Sequence, residues 1–172
     1  MLVTGPPGSG KTTVIRGVID LLAGVPMAGF YTEEIRGSGA RTGFRVVTLD
    51  GRTARLASVG QRGGPRVGRY TVHLSDFEAI ALPQLEPRPN IALIVIDEIG
   101  KMECLSPAFV AAARRALTAT VPLLGTVAVA GGGFVAEAKR APGVTVVTVT
   151  PENRGRLPRE LVARLQDELP VK

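Results

Sequence analysis

Apolar residues in the first part of the chain change their spacing twice. Residues 1–4 form a short apolar run, typical of a strand, and a Gly-rich loop follows it. The next segment repeats apolar side chains three and four positions apart, at Val14, Ile15, Val18, Ile19 and Leu22. This spacing favours an amphipathic helix over residues 12–23. The pattern therefore predicts a strand, a loop and a helix in that order.

The middle of the chain has the composition of strands with one short helix. We expect strands at 27–35, 44–49 and 53–58, and a helix at about 75–82. The last two strands flank Asp50 and Gly51, a pair that favours the two-residue turn of a β-hairpin. A Gly, Arg and Pro-rich stretch over 61–69 predicts a loop, and Ser75 is a candidate helix cap. The prolines within 83–89 then interrupt the pattern.

The second half of the chain alternates strands with helices. We expect strands at 91–96, 122–129 and 144–150, and helices at about 107–118, 135–140 and 151–168. The run at 91–96 is continuously apolar and β-branched, as in a central parallel strand covered on both faces. Ser106 and Pro107 form a typical helix start. The alternation predicts a doubly wound α/β fold with a mostly parallel sheet, in a single domain over residues 1–172.

Composition and charge narrow the class of protein. The chain has 172 residues, 45% of them apolar, which is enough for one folded domain with a real core. It has a single cysteine and no long apolar window, so we expect a soluble cytoplasmic protein without an internal disulfide or a membrane partner. The single histidine, His73, excludes a His-based metal cluster and a Ser-His-Asp triad.

The net charge of +6 is concentrated in one segment, at about residues 36–69, which we name the basic flap. The segment has one acid, Asp50, and eight arginines: Arg36, Arg41, Arg45, Arg52, Arg55, Arg62, Arg66 and Arg69. Three interpretations stay open for it. A flap arginine would stabilise charge on a transferring phosphate, the flap would bind RNA, or it is an ordinary solvated β-hairpin. Few aromatic residues are available to stack on bases, which disfavours RNA.

The strongest chemical motif is GPPGSGKT, residues 5–12, which matches G-x-x-x-x-G-K-[ST] at every fixed position. Backbone N–H groups of such a loop converge on phosphate oxygens without side chains in the way. Lys11 would contact the β- and γ-phosphates, Thr12 would bind Mg²⁺, and Thr13 would contact the α-phosphate. The motif follows a predicted strand and opens a predicted helix, so its context supports a nucleotide site.

Two adjacent acids, Asp97 and Glu98, end the apolar run of IVIDEIGKME. Asp97 is placed to hold Mg²⁺ through water, as in other proteins with this phosphate loop. Glu98 is a candidate general base that activates an attacking water. Alternatively, Glu98 pairs with Lys101 or faces solvent. A second acidic pair, Glu33 and Glu34, ends a predicted strand, and it lies either near the metal or in solvent.

Several motifs together resemble one known family. GPPGSGKTT, GFYTEEIR, RTGFRVVTLDG, VGRYTVHL, IVIDEIGKME, LLGTV and VTPENR are similar, in order and spacing, to those of the THEP1-type (cancer-related) nucleoside-triphosphatases. The resemblance spans nearly the whole chain. It implies a RecA-like, ASCE-type P-loop NTPase fold with an inserted β-hairpin. It also implies Mg²⁺-dependent hydrolysis of NTPs to NDP and phosphate, with broad tolerance of the base.

The resemblance also implies a set of site residues. Glu98 and Lys11 would be catalytic, and Thr12 and Asp97 would bind the metal. The nucleotide-binding residues would be Gly5, Pro6, Pro7, Gly8, Ser9, Gly10, Lys11, Thr12, Thr13, Ile94, Val95, Ile96, Asp97, Glu98, Ile99, Gly100, Lys101, Thr126, Asn153 and Arg154. Among these, Thr126 is the expected polar sensor, while Asn153 and Arg154 are expected near the base or sugar. The loop after Thr126, AVAGGGF, departs from the family pattern.

The residues leave two other function classes open. A small-molecule kinase would use the same loop but needs an acceptor pocket. A nucleotide-dependent RNA-binding module would use the basic flap, with hydrolysis as a timer. Nucleoside triphosphates are the expected partners, nucleic acid is the disfavoured one, and a monomer is the favoured state. The guanine-reading motifs N-K-x-D and T-K-x-D are absent from the sequence, which favours affinity through the phosphates and Mg²⁺ that all NTPs share.

Overall fold

The computed structural model describes residues 1–169, which form one nine-stranded sheet flanked by helices. The strands are β1 (Leu2–Thr4), β2 (Met27–Gly37), β3 (Ala40–Thr48), β4 (Thr53–Val59), β5 (Arg66–Val67), β6 (Tyr70–Val72), β7 (Leu93–Ile99), β8 (Leu123–Val127) and β9 (Val146–Thr148). The helices are α1 (Lys11–Leu21), α2 (Leu74–Leu85), α3 (Pro107–Leu117), α4 (Phe134–Arg140) and α5 (Leu157–Gln166). Within the described residues, no helix is long and apolar enough to cross a membrane.

The strand order is β5-β6-β4-β3-β2-β7-β8-β1-β9. The half from β2 to β9 is parallel, and the half from β2 to β5 is antiparallel. The basic flap lies in the antiparallel half, where β3 and β4 pair around the predicted turn. Strand β8 separates β1 from β7, as expected for the ASCE-type P-loop fold. In parallel sheets, ligands bind beyond the carboxyl ends of the strands, where the loops after β1 and β7 lie.

The sheet is covered on both faces, which explains why β7 is continuously apolar. Leu93 and Val95 pack with α1 and α5 on one face. Ile94 and Ile96 pack with α2, α3 and α4 on the other face. That second layer contains Phe30, Phe77 and Phe109, whose ring centroids lie 5.3–6.1 Å apart. The packing on both faces holds the carboxyl end of β7 in a fixed position.

Several predicted boundaries were wrong, including those of β3, which starts at Ala40 rather than 44, and of β9, which is Val146–Thr148 rather than 144–150. Strand β7 continues past residue 96 to Ile99, because both faces of its end remain buried. Strand β5 forms inside the predicted loop at 61–69 by pairing with β6. Helix α2 starts at Leu74 without a Ser75 cap and runs through Pro83 to Leu85, since its apolar side packs on the sheet.

The start of the last helix was also predicted wrongly. Helix α5 starts at Leu157, after a series of turns, rather than at residue 151. The Asn153 side chain accepts a hydrogen bond from the Thr150 N–H at 2.8 Å and donates one to the Thr148 carbonyl at 2.8 Å. These local bonds satisfy the backbone in a non-helical form, which is the usual competition that Asn offers to a helix.

The cap of α3 gives a testable stability prediction. The Ser106 hydroxyl accepts a hydrogen bond from the Phe109 N–H at 2.9 Å, and it also donates to Glu78. We expect Ser106→Ala to lower the free energy of unfolding by about 1–2 kcal/mol, measured by urea denaturation. Ser75→Ala is the matched control, because Ser75 is exposed and makes no cap bond, and its change should stay within about 0.5 kcal/mol. Equal losses in the two variants would contradict the cap assignment.

Candidate active site

The Gly-rich loop at 5–10 joins β1 to α1, at the carboxyl end of a parallel strand. Gly8 and Gly10 have φ of 78° and 99°, a left-handed region that side-chain-bearing residues rarely adopt. Gly10 is the cap of α1, so free backbone N–H groups of the first helical turn face the loop. Lys11 is half-buried, and its Nζ donates to the Gly5 carbonyl at 3.0 Å. Such a concavity can bind phosphate oxygens.

The Asp97 carboxylate lies at the end of β7 and is 1% exposed. Its Oδ1 accepts a hydrogen bond from the Thr126 hydroxyl, and its Oδ2 is buried without a hydrogen-bond partner among the described residues. Burial raises the pKa of this carboxyl, while the hydroxyls of Thr126 and Thr12, the Thr32 main chain and the Lys11 charge act in the opposite direction. A buried oxygen without a partner requires a cation or water to satisfy it.

These features fit a magnesium ion. Mg²⁺ prefers oxygen ligands, and proteins often hold it through one or two carboxylates while water and substrate phosphates supply the remaining ligands. The open Oδ2 of Asp97 and the nearby Thr12 hydroxyl match that pattern. Over residues 1–169, no group of three or more His, Cys, Asp or Glu side chains forms a metal cage. The donor set therefore suits an ion whose coordination is completed by a bound nucleotide.

Glu98 lies next to the phosphate loop. Its Oε2 is 3.9 Å from Lys11 Nζ, and its side chain is 29% exposed. Burial is the main cause that raises the pKa of this carboxyl; the Asp97 charge adds to the rise, and the Lys11 charge opposes it. Of the alternatives from sequence, pairing with Lys101 is not found, since the ion pair of Glu98 in the described residues is with Lys11. A partly accessible carboxylate with a raised pKa is suited to accept a proton near neutral pH.

The segment at 94–101 contributes unequally to this site. Ile94, Val95, Ile96 and Ile99 are fully buried in the core, so any nucleotide contact from these residues would have to involve the main chain. Their side chains support the strand end that carries the two acids. Lys101 is exposed at the turn after the strand.

The three remaining predicted residues lie in different surroundings. Thr126 is fully buried on β8 and contacts Asp97 on the neighbouring strand. Arg154 is exposed, and its Cδ comes within 3.9 Å of where a Cβ on Gly10 would lie. It is therefore adjacent to the phosphate loop. Asn153 instead uses its side-chain amide to hold the turn that precedes α5.

Comparison with known proteins decides the family. The sequence model of the family described as NTPase matches residues 1–162. The chain belongs to this NTPase family. The cancer-related nucleoside-triphosphatase homolog of Bos taurus is 43% identical, over 96% of each chain.

Solved structures of NTPase relatives show the same fold. The crystal structure of THEP1 from Aquifex aeolicus matches with a TM-score of 0.88 and 34% identity, over 96% of this chain and 98% of that one. The solution structure of a human cancer-related nucleoside triphosphatase matches with a TM-score of 0.82 and 43% identity, over 97% of each chain. The family resemblance and the P-loop NTPase fold expected from the sequence are thus confirmed.

Four of the eight arginines of the basic flap form local ion pairs in the described part of this NTPase. Glu34 pairs with Arg36 and Arg41, and Glu33 pairs with Arg45 and with Arg16 of α1. Arg52 likewise pairs with Asp50. The acidic pair of β2 is therefore held by arginines rather than by a metal site. Exposed pairs of this kind contribute little to stability, so the ordinary solvated hairpin is the interpretation that the geometry favours.

Sequence reasoning missed one acid of the NTPase site, Glu103. It lies in a short 3-10 turn after β7 and is only 5% exposed. Burial, together with the charges of Glu98 and Asp97, raises the pKa of Glu103 to about 8, although backbone hydrogen bonds oppose the rise. The only signal in the sequence is its spacing within DEIGKME. An isolated glutamate is normally exposed, so burial was not the expected state.

The protonation of Glu103 predicts a pH-dependent stability. Between about pH 4.5 and 8 the folded state retains a proton that the unfolded state has released, so stability should fall as pH rises through this window. In the native chain this decrease in the free energy of unfolding should be on the order of a few kcal/mol, and we expect Glu103→Gln to abolish it. The measurement is the melting temperature and the urea midpoint as functions of pH. Glu86→Gln, at an exposed acid, is the control and should leave the native profile unchanged. A Glu103→Gln profile parallel to the native one would refute this protonation state.

Proposed function

We propose that this chain hydrolyses the β–γ phosphoanhydride bond of Mg²⁺-bound nucleoside triphosphates, giving NDP and inorganic phosphate. The observation that carries the proposal is the meeting of three charged groups at the phosphate loop. Lys11 Nζ lies 3.9 Å from Glu98 Oε2. Asp97 precedes Glu98 in the chain, and its buried Oδ2 has no hydrogen-bond partner in the described residues and could therefore coordinate a cation or a metal-bound water. The relatives that the chain matches are named for the triphosphatase reaction.

The loop and the first turn of α1 would bind the phosphates. The backbone N–H groups of residues 8–13 supply donors, and the helix N-terminus favours negative charge. Lys11 adds a full positive charge where the γ-phosphoryl group would lie. Since the charge of this group spreads over its oxygens during transfer, a fixed cation stabilises the transition state.

Thr12 and Asp97 would hold Mg²⁺, which would offset the negative charge of the phosphates when it is bound. The open Oδ2 of Asp97 supports this assignment. Thr126 fixes the other oxygen of Asp97, so the carboxylate has one orientation available. Thr126 is therefore proposed to position the acid rather than to contact the substrate.

Glu98 would activate the attacking water. Its carboxylate accepts a proton from the water as the new oxygen–phosphorus bond forms, and the bond to the leaving NDP breaks. Its raised pKa and partial exposure suit this role, because the group remains accessible to water while its basicity is increased. Before the reaction, the ion pair with Lys11 stabilises the anionic form of Glu98.

Recognition of the base would be weak. The proposed contacts near the base or sugar are Arg154, which is exposed beside Gly10, and Asn153, which shapes the adjoining turn. Neither arrangement forms a fixed base-reading pair. We therefore propose similar turnover of ATP, GTP, CTP and UTP, with affinity arising mainly from the phosphates.

The test is phosphate release from the four NTPs with Mg²⁺ and without an added acceptor, with the nucleotide product identified by chromatography. The proposal expects NDP and phosphate in equal amounts from all four, and loss of the signal when EDTA removes the metal. A kinase would release little phosphate at any time, and it would form NDP only when an acceptor is added. Turnover of a single NTP would overturn the broad base tolerance.

A further inference from the structure

The turn after β7 returns Glu103 toward the end of that strand. The Cys104 N–H donates to the Gly100 carbonyl at 3.0 Å, and the Ser106 N–H donates to the Glu103 carbonyl at 3.0 Å. These bonds close the turn and fix the Glu103 backbone below the strand end. The side chain of Glu103 is buried there, although its charge would ordinarily keep it in water.

Gly100 separates the carboxyl groups of Glu103 and Glu98. A Cβ at this position would lie 2.9 Å from Glu103 Oε2, 3.4 Å from Glu98 Cγ and 3.5 Å from Glu98 Cδ. The φ of Gly100 is outside the left-handed region, so backbone strain does not require glycine here. Space is limited instead, because a Cβ would crowd the Glu103 carboxyl while touching Glu98 at ordinary contact distance.

Glu103 has no cationic partner in the part of the chain that the structure describes. The nearby lysine, Lys11, pairs with Glu98 instead. The other charged groups acting on Glu103 are the two acids of β7, Asp97 and Glu98. The Cys104 thiol is adjacent in the turn, and burial, with the charges of Glu103 and Glu98, raises its pKa to about 12. A carboxyl buried beside two acids and without a cation is stabilised in its protonated form.

We propose that Glu103 is a positioning residue for Glu98, whose buried carboxyl lies beside Glu98 at Gly100 and keeps Glu98 directed toward Lys11. The inference rests on the proposed water-activating role of Glu98. A neutral group fills the space without repelling the Glu98 carboxylate. Once Glu103 ionises, a third negative charge joins Asp97 and Glu98 next to an anionic substrate. The site is therefore built to work with a protonated Glu103 and to lose activity when it ionises.

The central test is the pH profile of kcat and KM for the native chain and Glu103→Gln, which has the shape of the protonated acid. We expect native kcat to fall as the pH rises through about 8. The variant should retain kcat within about threefold at pH 7, with unchanged KM, and should lose the alkaline decline. If the variant keeps the native alkaline decline, or if it changes KM rather than kcat, the positioning role is overturned.

Gly100→Ala gives a second, independent test of the same arrangement. Its Cβ should displace the Glu103 carboxyl from behind Glu98, and we expect kcat to fall by about tenfold or more with nucleotide affinity within about twofold of native. Gly132→Ala is the matched control, since a Cβ there meets nothing within 4 Å. Equal kcat in the two alanine variants would contradict the packing role.

Glu98→Gln separates failure of this inference from failure of the proposed function. If Glu98→Gln hydrolyses NTPs at the native rate, Glu98 does not activate the water, and the positioning role of Glu103 is contradicted as well. An inactive Glu98→Gln together with a native-like profile for Glu103→Gln leaves the proposed function standing and overturns only the role of Glu103.

Discussion

Glu98→Gln is expected to lower kcat by about 10²–10⁴-fold while leaving nucleotide affinity within about threefold of native. The amide keeps the size of the side chain but cannot accept the proton of the attacking water. Binding should survive, because the proposed phosphate contacts come from the loop at 5–10 and from Lys11 rather than from this carboxylate. The change also removes a negative charge near the substrate, which favours binding slightly.

The measurement combines steady-state phosphate release with titration of a fluorescent nucleotide analogue in each variant. Glu34→Gln is the matched control, because Glu34 is an acid on the neighbouring strand β2 whose partners are Arg36 and Arg41. It should change kcat by less than about threefold. Native turnover in Glu98→Gln would show that Glu98 is not the general base, and it would favour the kinase alternative.

Lys11→Met should weaken nucleotide binding and lower turnover together, with kcat/KM reduced by about 10³-fold or more. The change keeps much of the side chain's bulk while deleting the charge that faces the phosphates. It also removes the hydrogen bond to the Gly5 carbonyl and leaves Glu98 without its cation. The loss of the charge and the loss of these contacts should both destabilise the transition state. The loss of the charge should also weaken binding of the substrate.

Isothermal titration with a non-hydrolysable NTP, alongside phosphate release, separates these two losses. Lys139→Met is the control, since this half-buried lysine of α4 donates a hydrogen bond to the Val129 carbonyl rather than to the phosphate loop. Native affinity in Lys11→Met would show that the loop binds phosphate without this charge, contrary to the proposed site.

The sequence predicted most of the fold because its signals were local and redundant. The apolar run of β7 and the Ser106-Pro107 start of α3 both depend on near neighbours in the chain, and both were confirmed. Errors arose where tertiary contacts decide the boundary. Strand β5 exists only because β6 pairs with it, and α2 passes through Pro83 because its buried side chains keep it on the sheet.

The candidate site follows the same division. The phosphate loop is contiguous, so its residues could be predicted from a motif. Thr126 contacts Asp97 only because β8 lies beside β7, 29 positions away along the chain, and it was found by family resemblance. The burial of Glu103 depends on a turn whose path no local pattern indicates. It therefore could not be predicted from the sequence.

The most direct test of the account is hydrolysis of Mg·ATP in H₂¹⁸O, with the position of the label read by ³¹P NMR or mass spectrometry. Attack of a Glu98-activated water on the γ-phosphorus predicts one ¹⁸O in the inorganic phosphate of each turnover and none in the ADP. Label in the nucleotide product, or ADP formed only with an added acceptor and without labelled phosphate, would contradict the proposed reaction.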